Sequence, residues 1–67
     1  MKYAIIKVTN GAFTIVSEWD TLEKAIVNYH DVCKTQWNAQ DVEHATVMIA
    51  DERLNIAQGF IEYIKYN

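Results

Sequence analysis

Proline is absent from this chain, glycine occurs twice and cysteine once. Each scarcity closes off a class of protein. Gly11 and Gly59 cannot build a phosphate-cradling loop, because neither stands in a glycine-rich strand-to-helix turn. The single cysteine, Cys33, excludes an internal disulfide and suits a reducing compartment. Basic residues are also few: six against nine acidic ones leave a net charge of −3. Proteins that grip nucleic acid through its phosphates carry a basic stripe, and this chain has none. No apolar run approaches the ~20 residues of a membrane helix, and no leader-like stretch precedes the first strand-like run. A cytoplasmic protein that does not engage a membrane is the expectation.

What the chain has is oily side chains. Apolar residues make up 51% of its 67 positions, and eight of them are aromatic, well above the range of disordered segments. That length supports one domain, residues 1–67, with no linker, repeat or low-complexity stretch. A chain so short hides only about 60% of the surface it exposes when unfolded, so its stability is marginal.

Residues 2–9 and 12–19 alternate in the manner of strands, and Asn10-Gly11 between them is a strong hairpin signal, since both tolerate positive φ. A two-residue turn pairs Val8 with Phe13, Ile6 with Ile15 and Ala4 with Ser17 on one face. Lys7 with Thr14, Ile5 with Val16 and Tyr3 with Glu18 fall on the other. The first face is the more apolar and is assigned to the core. Asp20 is placed to cap a helix, with Glu23 three residues on. From there Leu22, Ala25, Ile26, Tyr29, Val32, Cys33 and Trp37 form one helical stripe, predicting a helix from Thr21 to about Asn38. Residues 44–51 form a third strand. Residues 56–66 form a fourth whose facing is ambiguous, with Gly59 able to host a bulge.

These elements predict an α+β fold of order ββαββ, with one helix over a four-stranded sheet. The first and fourth strands are apolar on both sides, as central strands are, which favours a mixed sheet of order 2-1-4-3; antiparallel orders such as 2-1-3-4 stay open. The predicted arrangement resembles the β-grasp group of small domains. That resemblance lies in topology over nearly the whole chain, involves no shared motif, and carries no functional residues.

Chemistry is hard to find in the letters. Cys33 lies on the buried stripe, where burial makes a thiol inert. A zinc site needs three or four converging ligands, and His30, Cys33 and His44 could supply three only if the helix end folded back. Glu18, Asp20, Asp51 and Glu52 gather at one end of the predicted sheet, but Asp20 has a capping task, Asp51 a turn task, and Arg53 stands close by. Trp19 and Trp37 read as packing residues. No catalytic residue, metal ligand or cofactor is therefore predicted, and the chain reads as no enzyme.

Surplus remains after the helix is served. One helix covers one sheet face, leaving an apolar patch on the order of 500 Å² on the other. Tyr3, Ile5, Val16, Met48 and Phe60 are the candidate interaction surface. The second strand adds an edge without lysine, proline or glycine to discourage pairing with another chain. The expected function is a small non-enzymatic interaction module that meets a protein partner or a second copy of itself through that face or edge. One rival is an acidic inhibitor from a phage or mobile element that blocks a host or defence protein. Another is a weak binder of single-stranded nucleic acid through Tyr3, Lys7 and neighbouring sheet residues, disfavoured by the missing basic groove.

Overall fold

The computed structural model describes residues 2–66 apart from the Gln58 side chain. Its elements follow the order strand β1 (Tyr3–Thr9), strand β2 (Ala12–Trp19), helix α1 (Leu22–Asn38), strand β3 (Ala45–Asp51) and strand β4 (Ile56–Ile64). The four strands form one sheet with α1 on a single face, so the chain is α+β as its pattern predicts.

Strand order corrects the expectation. The sheet runs β2-β1-β3-β4 with every neighbouring pair antiparallel, in place of the mixed 2-1-4-3 order. Its centre therefore lacks the parallel pair on which the β-grasp likeness depended. The physical reason lies in β3 and in the hairpin turn. Ala45, Val47 and Ile49 are fully buried on one side of β3, and Thr46 and Ala50 are nearly so on the other. A strand shielded on both sides belongs in the interior of a sheet. Strand β4 carries Gly59 at φ +84° and an irregular register between Met48 and Ala50, which suit an edge. Asn10 then fastens β3 beside β1. Its backbone N–H donates to the His44 carbonyl at 2.9 Å, and its side-chain oxygen accepts from the N–H groups of Glu43 and His44 at 2.8 and 3.2 Å.

The hairpin turn itself is as predicted, with Asn10 at φ 49° and Gly11 at φ 86°. Pairing holds from Thr9–Ala12 through Ile6–Ile15 and then slips. A bulge at Val16 shifts the remainder by one, giving Ile5–Ser17, Ala4–Glu18 and Tyr3–Trp19.

Helix α1 starts one residue later than the carboxylate cap implies. Thr21 is the N-cap, its hydroxyl accepting from the Lys24 N–H at 3.3 Å, while Asp20 pairs with the Lys24 ammonium at 3.3 Å in solvent. Ala25, Tyr29, Val32 and Cys33 face the sheet and pack with Ile5, Val42, Ala45, Val47, Ile49 and Ile64 in one core. Buried Gln36 takes the end of the stripe, accepting from the Thr9 hydroxyl at 2.9 Å. Trp37, expected to pack, is half exposed, and its indole N–H donates to Glu62 at 2.6 Å. Trp19 does pack against the core, its N–H reaching the Ser17 hydroxyl, which in turn donates to Asn28 of α1.

Candidate interaction surface

Which face of the sheet the helix covers decides where any surface lies. The helix covers the face bearing Tyr3 and Ile5, not the face bearing Ala4, Ile6 and Val8 that counting of apolar residues had favoured. The reason sits in the partner strands. Register pairs Ile5 with Ile49 and Lys7 with Val47, and Val47 pairs in turn with Glu62. The deeply buried side chains of β3 therefore belong to the Tyr3 and Ile5 side, and two adjacent strands could not reveal that.

The candidate surface is corrected accordingly. Tyr3 packs against the core and Ile5 is fully buried within it. Phe60 also packs against the core and meets the Tyr29 ring edge-on, at 5.9 Å between centroids. Val16 lies at the bulge and lines a shallow groove with Asn28, Val32 and Gln36 of α1. Met48 alone of the five lies on the open face, paired with Ile6 and Ile61.

Register places three rows across that open face. The central row runs Ile15, Ile6, Met48, Ile61 from one edge to the other. Toward the Asn10-Gly11 turn lies Phe13, Val8, Thr46, Tyr63, and toward the opposite end Glu18, Ala4, Ala50, Ile56. The centre is shielded by its neighbours: Ile6 is 4% exposed and Ala50 2%. The borders are not. Phe13 (64%), Ile15 (55%), Ile56 (47%) and Tyr63 (63%) stand out into solvent on the two edge strands. Tyr66 continues the Tyr63 border, its ring 5.8 Å from that of Tyr63, its hydroxyl 3.2 Å from that of Thr46, and its other neighbour His44.

Among the described residues of the four strands, Glu18 is the only charged one on this face. Lys7 lies on the helix side, in the groove with Val16 and Asn28. Phe13, Ile15, Ile56, Tyr63 and Tyr66 together expose about 600 Å², most of it apolar, when their exposed fractions are applied to the usual full area of each residue. That is the upper end of the largest apolar patch on an ordinary monomer, and such patches are often functional.

The chain matches no protein-family model, no curated protein and no solved structure.

Elsewhere the polar groups are engaged in holding the fold. Asp51 accepts from the backbone N–H groups of Arg53 and Asn55 at 2.9 and 3.0 Å, bracing the β3–β4 turn, and Glu52 accepts from the Lys2 N–H at 2.9 Å. Lys2 and Lys24 stand among Glu18, Asp20 and Trp19 at that end of the molecule. The Lys65 ammonium donates to the carbonyls of Ala39 and Val42 just beyond the helix C-terminus. His30 is exposed while His44 sits against Tyr66, and among the described residues no three His, Cys, Asp or Glu side chains converge. Burial pushes the Cys33 thiol up to about 11, helped by the Glu62 carboxylate. Tyr29 is pushed up to about 12 by burial first, then by Cys33 and Glu62. Both are held protonated, the opposite of an activated nucleophile. No described helix is long and apolar enough to cross a membrane.

Proposed function

We propose that this chain is a non-enzymatic protein-interaction module whose contact surface is the open face of the sheet. One observation carries the reading: a continuous apolar tract crosses all four strands, rises at both edges, and among the described strand residues bears a single charge at one corner. Interface cores are poor in charge and enriched in aromatic side chains, which describes Phe13, Tyr63 and Tyr66. The β2 edge is a poorer site, because the bulge at Val16 breaks its ladder of exposed N–H and C=O groups in mid-strand. Nucleic-acid stacking is disfavoured for a related reason. The open-face aromatics have no lysine or arginine beside them on their strands, and phosphate neutralisation needs one.

Photo-crosslinking in cells tests the reading. A photoreactive phenylalanine at position 13 or 63 is expected to yield protein adducts, and the same group at Val27, exposed on the outer side of α1, is expected to yield none. Equal adducts from all three positions, or none from 13 and 63, would overturn it.

A further inference from the structure

We infer that the occupant of the open face is a second copy of this chain, packed sheet against sheet about a two-fold axis parallel to the strands. The inference rests on the reading of that face as a contact surface and goes further by naming what covers it.

Area is the first argument. About 600 Å² from each copy gives about 1,200 Å² in a symmetric pair, the lower bound of stable protein–protein interfaces. The patch thus supplies what a dimer needs without enlisting the helix or the turns, out of a total surface of 4628 Å².

Symmetry is the second. A two-fold contact sets the same surface against itself, so any charge within it is duplicated across the interface. Here the rotation leaves nothing charged facing its own kind. An axis along the strands, midway between β1 and β3, lays β2 of one copy over β4 of the other and keeps each row at its own level. Phe13 then meets the partner's Tyr63, and Ile15 meets the partner's Ile61. Glu18, at the edge of its row, comes over the partner's Ile56 rather than the partner's Glu18, at the rim where its carboxylate keeps its water. The alternative axis, across the strands, would set Glu18 near the partner's aromatic row. Sheets that pack face to face lie aligned within about 30°, compatible with the strand-parallel axis.

Sedimentation equilibrium over a wide concentration range reads the result. The wild-type chain is expected at twice its monomer mass, with Ile15→Arg and Tyr63→Arg each reduced to the monomer. Both side chains are more than half exposed, so each variant should keep its helical circular dichroism, and a third variant, Phe13→Lys, guards against loss of fold in either. An Ile15→Cys/Ile61→Cys double variant is expected to form an intermolecular disulfide, whereas Ile15→Cys alone is not. A wild-type monomer at every concentration overturns the self-pairing, as does a dimer that survives all three folded variants. The two readings fail separately. A monomeric chain that still gives crosslinks from positions 13 and 63 to another protein sinks only the second copy, while absence of both dimer and crosslinks sinks the surface itself.

Discussion

Asn10 links two parts of the fold through one side chain. Its left-handed backbone closes the β1–β2 hairpin, while its carboxamide accepts from Glu43 and His44 and donates to the Asp41 carbonyl at 3.1 Å. Asn10→Gly keeps the backbone freedom and loses the clamp, at a cost of about 1 kcal/mol; Asn10→Ala loses both, about 2–3 kcal/mol, read from urea midpoints. Equal costs would show that the carboxamide contributes nothing beyond the turn. Cys33 provides a second test. Burial raises its thiol to about 11, so near neutrality it should react with a disulfide reagent more slowly in the folded chain than in urea. Cys33 and Tyr29 are acids kept neutral by burial, so the native state binds the proton more tightly than the unfolded one. Their contribution to stability is complete below about pH 9 and falls as pH rises through about 11 and 12. Cys33→Ala should flatten the first part of that alkaline decline in the thermal midpoint.

Helices and hairpins were largely legible in the letters, because their signals are local. The Asn-Gly turn, the helical stripe from Leu22 to Cys33 and the four strand-like runs depend on neighbours within a few residues. Local pattern is indecisive where two neighbouring residues suit the same role. Asp20 and Thr21 are both good caps, and only the path of the chain out of β2 selects the Thr21 hydroxyl. Thr21→Ala should therefore cost about 1 kcal/mol, and Asp20→Ala, which loses only an exposed pair with Lys24, no more than about 0.5 kcal/mol, both by chemical denaturation. The reverse ranking would return the cap to Asp20. Trp37 is a comparable case. At the last turn of α1 Gln36 takes the buried place by meeting Thr9, and Trp37 beside it stays half exposed and reaches Glu62.

For the molecule as a whole, the two faces of the sheet make contrasting predictions. Ile49 is fully buried under α1, so Ile49→Ala should cost about 2–5 kcal/mol, enough to unfold much of so small a domain. Ile15, 55% exposed on the other face, should cost the isolated chain less than about 1 kcal/mol on the same change, measured where the chain is monomeric. At high concentration the Ile15 change should cost more, since a dimer adds stability by mass action. A concentration-independent midpoint for the wild type would count against the pair.

Composition and local pattern by themselves determined that this chain is α+β, that its helix runs from the twenties to Asn38, and that it holds more apolar surface than one helix can cover. Only the tertiary structure decided which side of the sheet the helix takes, and with it that Tyr3, Ile5 and Phe60 are inside while Phe13, Ile15, Ile56 and Tyr63 are outside. The physical reason is that alternation specifies two faces but not their assignment. With β1 apolar on both sides, the choice fell to β3 and β4, far away in sequence, and to a bulge at Val16 that no local signal announces.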